Sequence, residues 1–169
     1  MRVTIHPADE SDEGTLDNLM QLYAHDFSEI VPLEVAENER FEGHPLGRYW
    51  VDPWRLPFIL RRDEKLAGFA LVHTRSHLTG EDGGFDMAEF FVLRGLRRSG
   101  VGRAAAVQLF DRLRGPWEVR QRRANIAATA FWRRTIDAYT TGRWEELDWD
   151  DDVWRGPVQR FRSVTSAAS

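Results

Sequence analysis

The chain of 169 residues contains no cysteine. Disulfide frameworks, thiolate-bound metals and a covalent thiol nucleophile are therefore excluded together, while a serine or histidine nucleophile stays open. A basic surplus is missing too: 23 Lys and Arg stand against 27 Asp and Glu, a formal net charge of -4, which argues against a general nucleic-acid binder. No apolar run reaches the roughly 18 residues of a membrane span. The opening MRVTIHPADE also lacks the apolar core of a secretory signal. These absences predict a cytoplasmic protein with no nucleic-acid and no membrane partner. What is present, 42% hydrophobic and 12% aromatic residues, suffices for one sizeable core, so residues 1–169 are expected to form a single domain.

Alternation and spacing order the elements. Val3 and Ile5 mark a strand that stops at Pro7. Ser11 is placed to cap a helix whose Leu16, Leu19, Met20, Tyr23 and Phe27 recur every three or four residues. From 30 to 57, with prolines at 32, 45, 53 and 57, the pattern weakens to loop with room for one short helix; such a segment either lines a substrate site or simply covers the core. A hairpin follows, with strands over 58–61 and 66–73 around a turn at Asp63, Glu64 and Lys65, then a polar loop TGEDGG and a strand FDMAEFFVL. Residues 101–113 read as a helix stopped by Gly115 and Pro116, WEVR as a short strand, and IAATAFWRRTIDAY as a second helix. Asn125 would cap that helix, with Ala127, Ala130 and Phe131 on one face. Two strands, around 143–147 and 158–161, flank the acidic run DWDDD. No repeat or linker divides the chain, and the order predicts an α+β sandwich around a mixed, mostly antiparallel twisted sheet flanked by helices.

The stretch RRSGVGRAAA carries the chemistry. A strand ending in a glycine turn that opens a helix exposes backbone N–H groups at the positive end of the helix dipole, where anions bind. Gly100 and Gly102 remove side chains that would hold a diphosphate away, and Arg97, Arg98 and Arg103 add charge. A plain strand-to-helix turn with solvated arginines has the same pattern. A dinucleotide fingerprint, with alanine as third small residue and Glu118 on the ribose, needs a parallel sheet with helical crossovers, whereas a hairpin precedes this turn. A Walker loop is excluded because no Gly-Lys-Ser/Thr is present.

FFVLRGLRRSGVGRAAAVQLF resembles the acetyl-coenzyme A motif of the GNAT superfamily of N-acetyltransferases, Arg/Gln-x-x-Gly-x-Gly/Ala at the end of the fourth strand. Arg97, Gly100 and Gly102 fill its defined positions. One helix and one strand later, NIAATAFW resembles the family's Asn-x-x-Ala-x-x-Phe-Tyr, with Asn125, Ala128 and Phe131 matching. The resemblance covers residues 58–140 well, and the N-terminal third agrees in its strand and helix order.

The resemblance implies a three-layer sandwich that moves an acetyl group from acetyl-CoA directly to a primary amine, with no enzyme nucleophile and no metal. The acceptor would be a small-molecule or peptide amine, and the protein a monomer or homodimer. The resemblance also implies a fourth and a fifth strand that splay apart. Backbone at Phe91, Val92 and Leu93 would pair with pantetheine there, and the N–H near Val92 would polarise the thioester carbonyl. The amides of Arg98, Ser99, Gly100, Val101, Gly102 and Arg103 would cradle the pyrophosphate behind Arg97, and Asn125 would bond the pantetheine arm besides capping its helix. An ammonium must lose a proton before attack; Glu89 is the first candidate base and Asp86 the second, unless each is a solvated strand carboxylate. Trp132, against the coenzyme, replaces the tyrosine that protonates the leaving thiolate in many members, and an indole N–H cannot do so. Tyr139, two turns on, is the substitute acid; otherwise water or the ammonium proton serves. TIDAYTTG also stands where the family usually has Gly-Phe. A non-catalytic coenzyme A-binding or regulatory module of the same fold is the alternative, and Trp132 favours it.

Other constellations carry less. Arg120, Arg122 and Arg123 either meet the coenzyme's 3'-phosphate or are solvated. His73 and His77, on a strand and a loop, lack a third metal ligand. Glu34, Glu37, Glu81, Asp82, Asp86, Asp148, Asp150, Asp151 and Asp152, with several tryptophans, would form an aromatic and anionic pocket for a cationic amine, or simply a charged surface.

Overall fold

The computed structural model describes residues 1–42 and 46–164; Pro45, expected in the loop before the hairpin, lies outside them. Seven strands, β1 (Val3–Pro7), β2 (Arg55–Arg62), β3 (Lys65–Arg75), β4 (Asp82–Val92), β5 (Pro116–Arg120), β6 (Trp144–Asp150) and β7 (Arg155–Arg162), form one sheet in the order β1-β2-β3-β4-β5-β7-β6. The β4–β5 pair is parallel and the other pairs are antiparallel. Helices α1 (Glu13–Phe27) and α2 (Arg48–Val51) cover one face, and α3 (Val101–Arg112) and α4 (Ile126–Thr140) the other. Among the described residues no helix is long and apolar enough to cross a membrane.

Covering both faces explains why β2 and β3 carry continuous apolar runs rather than alternation. Phe69 and Leu71 pack with Leu16, Leu19, Met20 and Tyr49 on the α1 side. Ala70 and Val72 pack with Val101, Ala105, Leu109, Phe110 and Ile136 on the other. Asp63 and Glu64 take φ of 48° and 64°, the paired positive values that a two-residue hairpin turn requires.

Four expectations shift. Asp9, not Ser11, starts the first helical segment: its carboxylate accepts from the Ser11 amide at 2.9 Å while the Asp12 carboxylate accepts from the Asp9 amide at 3.2 Å. This reciprocal cap opens a single 3-10 turn, Glu10–Asp12, that runs into α1. β4 begins at Asp82, so half of TGEDGG joins the sheet, where Asp82 lies opposite Arg75. In α4 the buried stripe is Thr129, Trp132, Thr135, Ile136 and Thr140, and Ala127 is exposed; the helical step puts 127 and 131 at the edge of the face that the larger Trp132 and Ile136 occupy. The run DWDDD does not lie wholly between the last two strands either. Its first half belongs to β6, and the turn forms at 151–154, where the Asp151 carboxylate accepts from the amides of Val153 and Trp154 at 2.8 and 2.9 Å.

The site is set by how β4 meets β5. Phe85, Asp86 and Met87 lie opposite Trp117, Glu118 and Val119, and pairing ends there. On the other edge, Val72 faces Met87 but Leu71 faces Glu89, so Ala88 is a bulge. Beyond it the two strands part, leaving a wedge along residues 88–92. The far side is closed by the β6–β7 hairpin, which crosses the end of β5 at Gly156. A Cβ there would lie 2.3 Å from the Gln121 carbonyl oxygen and 3.0 Å from the Arg123 nitrogen. Gly156→Ala is expected to cost about 1–3 kcal/mol through forced backbone displacement, a fall of roughly 5 °C in Tm by differential scanning fluorimetry. An unchanged melting temperature would contradict this packing.

Candidate active site

The two edges of β4 have different work. The Leu93 amide donates to the Ala67 carbonyl at 2.9 Å, and Phe69 lies opposite Phe91. Alternation of bonded and non-bonded pairs in an antiparallel ladder therefore directs the Phe91 and Leu93 backbone to β3. Phe90 and Val92 turn theirs into the wedge. Of the three residues expected along a pantetheine arm, only Val92 faces it, joined by Phe90, which the sequence reading missed for want of this parity. The Val92 carbonyl accepts from Arg97 Nε at 3.0 Å, so its N–H is the group aimed inward.

Apolar rings line the wedge. Phe131 stacks on Phe90 with centroids 6.1 Å apart, and Trp132 meets the same ring edge-on at 5.0 Å. A Cβ on Gly102 would lie 3.3 Å from the Phe131 ring and 3.6 Å from Val92 Cγ2. Gly102 thus lets α3, α4 and β4 close together, and it is Gly100, with φ of 87°, whose freedom makes the turn. Trp132 is buried among Phe90, Phe110 and Phe131, forming the floor of this wall.

The turn leaves a run of backbone donors open. The amides of residues 98–103, from Arg98, Ser99, Gly100, Val101 and Gly102 to Arg103, donate to no described residue, and they lead into the positive end of a 12-residue helix. Arg97 is a staple rather than a ligand: besides Val92 it pairs with Asp26 at the end of α1, where Arg94 also binds Asp26 at 2.8 Å. Arg98 and Arg103 are exposed and form no ion pair among the described residues. Asn125 Oδ1 caps α4 by accepting from the Ala128 amide at 3.2 Å, while its side-chain NH2 donates to no described residue.

On the α1 face, the half-buried Glu89 carboxylate accepts a hydrogen bond from the Tyr23 hydroxyl. Burial first, then the Glu89 charge, raises the Tyr23 pKa well above the usual phenol value, so the hydroxyl stays a donor. Asp86 is fully buried and holds Arg120 through two bonds of 2.8 Å, with the Arg120 side chain only 6% exposed. Asp86 is therefore not an accessible base, and Arg120 is not a phosphate ligand. Beside them, the Tyr49 hydroxyl and His73 Nε2 are 2.8 Å apart.

Several residues are not brought here. The Tyr139 hydroxyl donates to Asp111 Oδ1 at 2.9 Å. Its own pKa is pushed up to about 12 by burial and that bond. Lying eight residues past Phe131, roughly 12 Å along the axis, it sits at the wrong end of α4 for a leaving thiolate. The acidic residues do not gather: Asp82 pairs with Arg75, Asp148 with Arg123, and Asp150 and Asp152 with Arg155. Glu34 and Glu37 are exposed in the loop before α2. No group of three metal-binding side chains occurs among the described residues. A concavity of about 600 Å³ between α1 and residues 36–42, 46 and 47, and one of about 540 Å³ over β5, β7 and β6, both lie away from the wedge. Tyr23 on Glu89 and Arg120 on Asp86 had escaped the sequence reading, because Tyr23 matched a core stripe and both contacts span long stretches of chain.

Burial drives the His73 pKa down to about 4, with Asp86 opposing. An unfolded chain takes up a proton near pH 6.5 that the native His73 refuses, so its contribution to stability is complete above that value and lost as pH falls toward about 4. Carboxylates titrate over the same range, so the comparison is with His73→Gln, which keeps a partner for Tyr49. The drop in melting temperature from about pH 7 to about pH 5 should be smaller in the variant than in the native protein; an equal drop would contradict the assignment.

The sequence model of the Acetyltransferase (GNAT) family matches residues 16–136, more than two-thirds of the chain. No curated protein matches the chain in sequence. Solved structures share the fold: an acetyltransferase from Thermus thermophilus has a TM-score of 0.66 at 17% identity, covering 97% of this chain and 98% of its own. The ribosomal-protein-S18-alanine N-acetyltransferase from Escherichia coli has a TM-score of 0.60 at 16% identity, covering 98% and 97%. The PaiA N-acetyltransferase from Thermoplasma acidophilum, solved with coenzyme A, has a TM-score of 0.61 at 12% identity, covering 96% and 99%. The resemblance carried by Arg97, Gly100, Gly102, Asn125, Ala128 and Phe131 is borne out, and the chain belongs to the GNAT family of acetyltransferases.

Proposed function

We propose that the chain is an N-acetyltransferase that passes an acetyl group from acetyl-CoA to a primary amine within a ternary complex, and that residues 1–169 act as one cytoplasmic domain, monomeric or dimeric. The observation that carries this reading is the junction of a parted β4–β5 pair with six consecutive unbonded amides at residues 98–103. Relatives of the fold bound to coenzyme A support the same ligand.

The residues fit that ligand. The amides of residues 98–103 hold the pyrophosphate, with Arg98 and Arg103 adding charge from the surface. Phe90 backbone and the Asn125 side-chain NH2 bond the pantetheine arm, while Phe90, Phe131 and Trp132 exclude water from one side. Acetyl-CoA supplies an activated thioester. The Val92 N–H, fixed in position before reaction, stabilises negative charge on its carbonyl oxygen as the amine attacks. Glu89, bonded by the Tyr23 hydroxyl, accepts the ammonium proton. The thiolate is protonated by water or by the proton the amine gives up, since Tyr139 is held by Asp111.

The second reading, a non-catalytic coenzyme A-binding module, is favoured by Trp132, buried in the wall where a tyrosine acid would serve. Calorimetry and thiol release separate the two. Acetyl-CoA should bind the native chain, and Arg98→Glu with Arg103→Glu should weaken binding roughly tenfold or more without changing the melting temperature, given that charges at a helix N-terminus act at this scale. Glu89→Gln should lower kcat about 100-fold while leaving acetyl-CoA affinity intact. Absence of native binding overturns the proposal, and binding without thiol release across an amine panel selects the non-catalytic module.

A further inference from the structure

The face of the sheet that carries Glu89 is only half covered by helices. α1 and α2 shelter the β1 to β4 side, and over β5 and β7 the surface is polar, with Glu118 bound to Arg160 at 2.7 Å and Asp86 to Arg120 at 2.8 Å. The tip of the β6–β7 hairpin lays Trp154 over this surface, with Arg120 and Arg122 at 4.6 and 4.8 Å from its ring. His77 meets Trp154 edge-on at 6.0 Å, and its loop is pinned by Ser76 donating to Glu118 at 2.7 Å. Across the face, Trp54 carries Arg55 at 4.2 Å and Arg75 at 5.1 Å.

The aromatic faces that a cationic acceptor would use are therefore already taken by guanidinium groups. Three of the four have aspartate partners: Arg55 with Asp52 at 3.0 Å, Arg75 with Asp82 at 3.0 Å and Arg120 with Asp86. Arg122 does not. It is exposed and pairs with no carboxylate among the described residues. Pairing of β4 with β5 stops at Met87 opposite Val119, and Arg122 lies two residues past the end of β5, on the side of the parting across from β4. Its charge is felt at the Tyr23 hydroxyl that holds Glu89.

We propose that Arg122, held on Trp154, binds the carboxylate of the acceptor, so that the enzyme acetylates small amino-carboxylates whose amine is presented to Glu89. This rests on the transferase reading and deepens it. A guanidinium fork matches a carboxylate with two parallel hydrogen bonds, which lysine does not. Stacking on an indole orders the side chain beforehand and reduces what binding must immobilise. A polycationic acceptor would be repelled by the same positive charge. Trp154 reaches Arg122 because Gly156 lets the hairpin lie against residues 121–123, which links the packing there to acceptor choice.

The test uses the full chain with α-, β- and γ-amino acids, the primary amide of each, and spermidine. Thiol release should favour acid over matching amide at least tenfold in kcat/KM for the best length. Arg122→Gln should remove that preference through KM, and Arg122→Lys should restore only part of it, with acetyl-CoA affinity and melting temperature unchanged in both. Preference for amides or spermidine overturns the proposal. Weaker acetyl-CoA binding in Arg122→Gln also overturns it, since Arg122 would then hold a coenzyme phosphate. If no acceptor turns over while acetyl-CoA binds, the transferase reading is what failed. Saturation-transfer NMR of the same acids and amides with the coenzyme-loaded protein then judges Arg122 by itself: signal for acids that is lost in Arg122→Gln supports carboxylate recognition, and equal signal for amides ends it.

Discussion

The parting of β4 from β5 is the constraint on which everything else depends. Two parallel strands that continued side by side would satisfy each other's backbone groups and leave no slot. Here the bulge at Ala88 ends the pairing after Met87, and the backbone of Phe90 and Val92 faces space instead of a neighbour. Such an opening in a sheet is unfavourable unless its flanks are held from elsewhere. Arg97 does this on one side by joining the Val92 carbonyl to Asp26 of α1. On the other side the β6–β7 hairpin closes over the end of β5 at Gly156.

The same staples give the turn its chemistry. With the Arg97 side chain engaged, the charge offered to an anion comes from unbonded amides, the helix dipole and the exposed Arg98 and Arg103. The buried Asp86–Arg120 pair plays a comparable part on the α1 face. A fully desolvated ion pair is weak as a source of stability, but removing one partner strands a buried charge, so it holds its place beside Glu89 and presents Arg120 to Trp154. On the proposed reading, acceptor and coenzyme lie on opposite faces of the sheet, with the wedge as the passage between them.

Much of the fold was legible because strong local signals agreed with it: the hairpin around Asp63 and Glu64, the long strand before the glycine turn, and the helix behind Asn125. Boundaries failed where polar residues form structure that apolar periodicity ignores, as with the Asp9 and Asp12 cap or the Asp151 turn that lets Asp148 and Asp150 enter β6. In the candidate site, Gly100, Val92 and Asn125 were singled out by the motifs, and Glu89 by its place on the strand before them. The partners that decide their roles were not, since Tyr23 is 66 residues from Glu89, and Arg120 is 34 from Asp86. The acidic pocket failed for the same reason: pairing with arginines distributes along the fold, not the sequence. Tyr139 looked suited to proton transfer only until the direction of α4 placed it beside Asp111.

The central claim, that the parted strands and the amides of residues 98–103 form one coenzyme site, is tested most directly by amide hydrogen exchange with and without coenzyme A. Slowed exchange confined to residues 98–103 together with Phe90, Val92 and the start of α4 is the predicted result. Protection that appears elsewhere, or that reaches the glycine turn without reaching Phe90 and Val92, would contradict it.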